Sequence, residues 1–401
     1  MKRVVVTGIG CITPAGLNVE TTWKNLIKGK DCSGKITKFD VSMFKTQISC
    51  EAKDFYKNDY PVLKNIGDEF YSTQYSCVAL EEAFKDSQID YLKEKNISIY
   101  LGVNFQEPYA LKKIALAEMN TSVNQLDKDA LYMNEPSSIV ETVSKTFSLK
   151  GKNMTISAAC AGGNYAIACA FDSIRFEESQ IAIAGATTAL SIIGIASFSK
   201  LGILSENHCS PFDKNRKGLL GGEGTGMLIL EEYEHAIERG AKIYGEVLGY
   251  GITCDAYHPV AADPTGIGAA IAIKKAMVMA NLTFDQIDYI SAHGTGTPGN
   301  DAAETKAMHQ VFGKDLKNIP SSSIKSMIGH SFAASSAMEA VTCCKVLQNN
   351  ILPPTINYQT PDPECDLDCV PNVAREKKVN VLMNNSFGFG GYNCITIFKK
   401  L

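Results

Sequence analysis

The chain has 401 residues, 45% hydrophobic and 20% charged, which exceeds what a single core usually holds and calls for two domains or one large double unit. Lys+Arg 39 against Asp+Glu 43 leaves a net charge of −4; this excludes a global basic field for nucleic acid, so an acidic partner must meet a local patch. Thirteen scattered cysteines without a C-x-x-C pair argue against a disulfide framework or zinc ribbon and for reduced thiols in a cytoplasmic setting.

Along the chain, MKRVVVTGIGCITPAG is too short and broken for a signal-peptide core. Val4 to Thr7 reads as a strand, Thr21 to Lys28 as a short helix, Tyr75 to Asp86 as a longer helix and Ile97 to Val103 as a strand. Asn104 to Asn134 is polar and irregular, more like an inserted lid or partner surface than core. Met154 to Ala159, the helix after Cys160, and Ile181 to Ala186 make a βαβ unit. Ser179 to Ser199 carries no charge, yet Gly185, Thr187, Thr188, Ser191 and Gly194 lower its hydrophobicity, so burial in a globular core is expected and no membrane span. The second half repeats the theme. Ile243 to Gly251 is a strand, Gly268 to Ala280 a helix, and Tyr289 to Ala292 a strand running into HGTGTP. Ala302 to Phe312 and Ser335 to Gln348 are helical, and Val379 to Asn384 and Cys394 to Phe398 are closing strands. This alternation predicts an α/β protein of two similar units, 1–240 and 241–401, meeting at a packed seam near residues 235 to 245.

Cys160 in MTISAACAGGNYAIACA ends a strand and opens a helix. Free backbone N–H groups and the helix dipole there favour thiolate, commonly lowering a thiol from its usual value of about 8.5 by a unit or more. The same residue also reads as a packed core thiol, as Cys169 does. Among six histidines, His293 in SAHGTGTPGND and His330 in IKSMIGHSFAASS stand in glycine-flanked strand-end or pre-helix turns, where α/β sheets present ligands. His235 and His309 read as solvent-facing helix positions, and His208 and His258 as loop residues without a role. TGIGCITPAG has Thr13 where a dinucleotide fingerprint needs its third glycine, and GLLGGEGTG lacks the ending of a phosphate loop. Their glycines are expected to let backbone approach a substrate or a loop move.

Taken together, VVVTGIGCITPAG, SAACAGG, SPFDKNRKGLLGGEGTGMLILEEYEHA, AHGTGTPGND, IKSMIGHSFAASSAMEA, ILPPTIN and NSFGFGGYN follow the order seen in β-ketoacyl-[acyl-carrier-protein] synthases, and the chain resembles their elongating Cys-His-His branch over nearly its whole length. The resemblance implies the thiolase fold, a five-layered αβαβα body of two related halves, usually dimeric. It implies Cys160 as acyl-accepting nucleophile, His293 and His330 as catalytic histidines, and Lys325 as the nearby electrostatic lysine with Glu339 as ionic partner. Thr295 and Thr297 would bind the phosphopantetheine arm. The N–H of Phe389, with that of Cys160, would form the oxyanion hole. The implied reaction is decarboxylative condensation of the Cys160-bound acyl chain with malonyl-acyl carrier protein, which needs no metal or redox cofactor. The implied partners are an acyl carrier protein and a second copy or a chain-length subunit.

Departures are Asn104, Phe105, Gln106 and Glu107 where such enzymes carry a glycine-rich segment, Ala161 in place of threonine, and Ser210 in place of a basic docking residue. Lys214, Arg216 and Lys217 are the remaining candidates for carrier docking. These differences point to the alternative of a specialised type II polyketide or polyene ketosynthase. A thiolase would place a second cysteine near the C-terminal glycine loop, an initiating synthase would replace one histidine by asparagine, and a chain-length subunit would lack Cys160. A Cys-His hydrolase would need a water path to the acyl-enzyme.

Overall fold

The computed structural model describes residues 1–94, 96–119 and 128–401. Ten strands form one hydrogen-bonded ladder. In chain order they are β1 (Val4–Ile12), β2 (Ser98–Val103), β3 (Asn153–Ile156), β4 (Ile181–Thr188) and β5 (Gly224–Glu232). The second set is β6 (Gly245–Cys254), β7 (Tyr289–Ser291), β8 (Ser321–Ser322), β9 (Val381–Gly388) and β10 (Tyr392–Lys399). Their spatial order is β8-β7-β9-β10-β6-β1-β5-β4-β2-β3.

The ladder is a repeat joined at its middle. From β1 outward the neighbours are β5, β4, β2 and β3, paired antiparallel, antiparallel, parallel and parallel. From β6 outward they are β10, β9, β7 and β8 in the same sequence of pairings. At the join Val4, Val5 and Val6 pair with Val247, Glu246 and Gly245, while the same valines face Glu232, Glu231 and Leu230 of β5. Each of the three is fully buried, a contribution of about 1.5–3 kcal/mol per valine.

Six helices complete the layers: α1 (Tyr71–Ser87), α2 (Ser137–Thr146), α3 (Gly162–Arg175), α4 (Ile267–Met279), α5 (Pro298–Phe312) and α6 (Ala333–Asn349). Helices α1 and α2 cover the outer face of the first five strands, α4 and α5 that of the second five, and α3 and α6 lie between the two sheet halves. This is the five-layered αβαβα arrangement that the family resemblance implies. Helices α3 and α6 approach closely because their contact is made of small residues: a Cβ on Gly163 would sit 2.5 Å from the Ala337 backbone nitrogen. The two outer faces show the same device, since a Cβ on Gly10 of β1 would lie 1.9 Å from the Ala79 carbonyl of α1 and one on Gly251 of β6 would lie 1.9 Å from the Ala272 carbonyl of α4.

Several expectations change. The strand expected to stop at Thr7 runs on to Ile12 through its glycines, and β5, in a stretch to which no strand was assigned, is a buried central strand. The region expected to be irregular contains helices Pro108–Met119 and Lys128–Tyr132, with residues 120–127 outside those described. The uncharged Ser179 to Ser199 stretch divides into β4 and a helix, Ile192–Lys200. Among the described residues no helix is long and apolar enough to cross a membrane. His235 and His309 are half-buried, the former bonded through Nδ1 to Glu231 at 2.6 Å, and Cys169 is half-buried too.

Candidate active site

Cys160 stands in a short 3-10 turn, Ala159–Ala161, that leads into α3. Ala159 takes a positive φ of 46°, a conformation uncommon for a residue with a Cβ and one that clusters at functional turns. The Cys160 carbonyl accepts hydrogen bonds from Ser386 Oγ at 3.0 Å and Ser336 Oγ at 3.2 Å, so strand β9 and helix α6 both fix the turn. Gly388 comes within 3.0 Å of the Cys160 nitrogen when given a Cβ, which is why the following Phe389 can bring its backbone N–H to the sulfur. The N–H groups of Phe389 and of Cys160 itself both act on Sγ.

His293 follows β7. Its N–H donates to Glu304 Oε1 and that of Gly294 to Glu304 Oε2, both at 2.8 Å. Asp301, one helical turn earlier on α5, accepts the N–H groups of Thr295 at 3.0 Å and Gly296 at 3.2 Å. The two carboxylates thus replace a strand partner for a loop that has none. Burial pushes the Glu304 carboxyl up to about 7, against the pull of those N–H donors. The hydroxyls of Thr295 and Thr297 lie 2.8 Å apart.

His330 precedes α6 and is tied by its backbone to the other half. Its N–H donates to the Leu220 carbonyl at 2.7 Å, and its carbonyl accepts the Gly222 N–H at 2.9 Å. Its Nδ1 receives the Phe332 N–H at 3.2 Å and lies 2.9 Å from Ser335 Oγ. Phe332 also has a positive φ, 48°, and its ring lies 5.5 Å from the His330 ring in a near-parallel stack.

These turns converge. One ligand-type atom each from Cys160, His293 and His330 lies within 4.8 Å of the others, and the two imidazole rings are 5.3 Å apart and nearly perpendicular. All three residues are buried, with Cys160 only 8% exposed. They line a cavity of about 330 Å³ together with Thr295, Thr297, Phe389, Phe198, Asp255 and Asn393. Lys325 and Glu339, each 1% exposed, form a short ion pair behind it. Burial pushes Glu339 up to about 7 although the Lys325 charge draws it down.

The ionisation state differs from the expectation of a ready thiolate. Burial pushes the Cys160 thiol up to about 11, outweighing the Lys325 charge and the two backbone N–H groups that draw it down. Burial, with Lys325 adding to it, holds both imidazoles well below their usual value. Both directions favour the neutral forms, a thiol at Cys160 and neutral imidazoles at His293 and His330. A thiolate and two imidazoles are also zinc ligand types, but the Lys325 charge acting on all three works against a dication.

The residues at which the sequence departs from the pattern it resembles divide. Phe105 reaches the site's wall, its ring 5.9 Å from and edge-on to Phe332. Glu107 is fully buried and caps the first turn of α1, its carboxylate accepting the Ser72 N–H at 3.2 Å and the Thr73 N–H at 2.7 Å. Arg216 is no surface docking residue: it is 6% exposed and paired with Asp362 and Asp301. Ser210 is buried as well, whereas Lys214 and Lys217 are exposed. Asp301, Glu304 and Ser335 were not singled out by sequence reading. The first two sit three apart on one helix directly after the His293 loop, a spacing that places both carboxylates over that loop.

A family model described as beta-ketoacyl synthase, N-terminal domain, matches residues 1–236, and one described as beta-ketoacyl synthase, C-terminal domain, matches residues 244–359. A 3-oxoacyl-[acyl-carrier-protein] synthase 2 from Synechocystis sp. is 38% identical over 408 residues, covering 100% of this chain and 98% of the relative. Among solved structures, the ishigamide ketosynthase/chain length factor superposes with a TM-score of 0.93 at 34% identity, covering 100% of this chain and 99% of that one. A type II PKS acyl-carrier protein in complex with its ketosynthase gives a TM-score of 0.92 at 30% identity, with coverage of 100% and 99%.

Proposed function

The chain belongs to the beta-ketoacyl synthase family, and from that premise we propose that it is an acyltransferase that condenses a Cys160-bound acyl chain with malonyl-acyl carrier protein, with loss of CO2, to give a β-ketoacyl carrier two carbons longer. The observation that carries this reading is the convergence of Cys160, His293 and His330 within 4.8 Å, with two backbone N–H groups turned to the sulfur. Fatty acid elongation is the corresponding pathway role.

In the first half-reaction the Cys160 proton passes to an imidazole, and sulfur attacks the acyl thioester carbonyl. The tetrahedral oxyanion is held by the N–H groups of Cys160 and Phe389, and the carrier thiol leaves with the proton. Thr295 and Thr297 hydrogen-bond the phosphopantetheine arm at the cavity mouth. Malonyl carrier then enters. Its Cα–carboxylate bond breaks, CO2 departs, and the electron pair remains as an enolate that neutral imidazole N–H groups stabilise. The enolate carbon attacks the Cys160 thioester, the same N–H pair receives the second oxyanion, and the C–S bond breaks to release the sulfur as thiolate, which takes a proton from solvent to restore the thiol. The steps need no metal or redox cofactor, because decarboxylation drives them. Burial keeps both imidazoles neutral and hydrogen-bond donating, and the charge of Lys325, held by Glu339, adds to it.

The division into 1–240, carrying Cys160, and 241–401, carrying the histidines, belongs to the same reading and is supported by the repeated strand order. So does a cytoplasmic, two-subunit enzyme. Strand β3 leaves an open sheet edge with Met154 exposed, a surface suited to a second copy or a chain-length partner. A second reading, a specialised type II polyketide or polyene ketosynthase working with such a partner, is favoured by Phe105, which packs on Phe332 of the cavity wall, and by the likeness to the ketosynthase/chain length factor and type II PKS structures. The purified protein, offered a panel of acyl carriers with malonyl carrier and analysed by product mass, separates the two: saturated chains extended by the protein alone support elongation, and extension only of unsaturated or β-keto chains, or only with an added subunit, supports the second. No extension under either condition overturns the condensation.

A further inference from the structure

The two outer helices that the repeat makes equivalent are not equally covered. Gly10 meets Ala79 of α1 as Gly251 meets Ala272 of α4, so Gln74, Val78, Glu81 and Glu82 of α1 correspond to Ile267, Ile271, Lys274 and Lys275 of α4. In the first half the segment 61–68 lies over α1. Gln74 donates through Nε2 to the carbonyls of Gly67 at 2.5 Å and Asp68 at 3.0 Å, and Val78 shares an apolar cluster with Leu63 and Ile66. Gln74 and Val78 are therefore only 1% and 6% exposed, whereas their counterparts Ile267 and Ile271 are 51% and 44% exposed. Val278, further along α4, is 80% exposed. The core-facing side of the same helix is made by Ala269, Ala272, Ile273 and Ala276, all buried.

Ile267, Ile271, Lys274 and Val278 fall at i, i+4, i+7 and i+11, which aligns them in one row along α4. The helix carries Lys274 and Lys275 and no acidic residue, where α1 carries Glu81 and Glu82. We propose that this row is a docking surface for an acidic amphipathic helix of a second protein, its apolar side seated on Ile267, Ile271 and Val278 and its carboxylates on Lys274 and Lys275. Charge complementarity selects that occupant. In a two-fold pairing of the row with a second copy of this chain, Lys274, near the middle, would bring the lysines of the two copies together. An anionic bilayer asks for a broad apolar face, and this row is one residue wide. None of these residues lines the catalytic cavity, so the proposal goes beyond the condensation and stands or falls without it.

The test uses the full chain and two labelled synthetic peptides of about 18 residues, long enough to hold a helix. Each carries a leucine row at i, i+4, i+7 and i+11, flanked by glutamates in one peptide and by lysines in the other, and binding is read by fluorescence anisotropy. The glutamate peptide should bind, and either Ile271→Glu or a rise in salt from about 0.05 to about 0.5 M should weaken it at least about tenfold. The double variant Lys274→Glu with Lys275→Glu should lose the glutamate peptide and gain the lysine one. The altered side chains are exposed, so the urea midpoint of each variant should stay at the wild-type value and certify the fold. Failure of the glutamate peptide to bind, equal binding of the two peptides, or binding that Ile271→Glu leaves within about twofold overturns the proposal. So does a self-association in sedimentation that Ile271→Glu abolishes, which would assign the row to a second copy. Binding to vesicles of about one-quarter phosphatidylglycerol in phosphatidylcholine, lost in the same variant, would overturn it in favour of a lipid surface.

Discussion

The halves of the molecule are the same backbone put to different use. Each lays down its five strands in the same order and places one helix, α3 or α6, in the middle layer. Each also arms the turn before that helix, the first with Cys160 and the second with His330. They diverge after the parallel strands β2 and β7. In the second half the chain turns at once through His293 into α5, while in the first it runs through Phe105 and Glu107 into an inserted helical region. The repeat fixes distances, and the chemistry comes from breaking the repeat at three side chains.

Four substitutions or measurements would break or sharpen that contrast. Removing the first half's contribution should have the largest effect: Cys160→Ala should reduce acyl loading below detection by intact-protein mass, and full loading at another site would show that the turn before α3 carries no special role. Removing the second half's side chains should separate the steps. His293→Ala and His330→Ala should each slow condensation about 10²–10⁴-fold with loading of Cys160 still detectable, and unchanged product formation in both would dissolve the division of labour. The third measurement concerns ionisation. With the thiol at about 11, the ionised fraction at pH 7 is about 10⁻⁴, so alkylation of Cys160 in the free enzyme, followed on its peptide, should climb about tenfold per pH unit from 7 to 10. A plateau below pH 8 would mean that the helix end outweighs burial. The smallest effect tests the repeat itself: Gly10→Ala and Gly251→Ala meet equivalent carbonyls at 1.9 Å and should each lower unfolding free energy by about 1–3 kcal/mol in urea titration. A neutral result at one and a severe one at the other would deny their equivalence.

Much of this was legible in the sequence where a chemical residue type met an unusual flank. Cys160 among alanines and glycines, and His293 and His330 beside glycines, marked their own turns. Strand β5 was not legible, since GTGMLILEE contains the glycines that normally signal a loop. They are there because α6 lies against the strand: a Cβ on Gly226 would stand 2.5 Å from the Ala337 carbonyl carbon. The extension of β1 through Gly8 and Gly10 was obscured for the same reason. The burial that opposes a thiolate was not legible, because a helix end is visible in a local pattern whereas that burial comes from α6, β9 and the Phe389 turn, all more than 150 residues away in the chain. Arg216 looked like a surface cation beside Lys214 and Lys217 until the fold supplied Asp301 and Asp362 as its partners.

The pairing of Val4–Val6 with strands of both halves also governs how the molecule can breathe. A fluctuation that drew the sulfur away from the imidazoles would have to open the middle of a ten-stranded ladder and at the same time pull apart the glycine-packed helices α3 and α6, so the spacing among the three groups stays quiet. The segments around Asp255 to Ala262 and Gly388 to Phe389, which also line the cavity, lie outside that doubly anchored centre, so any widening of the cavity falls to them.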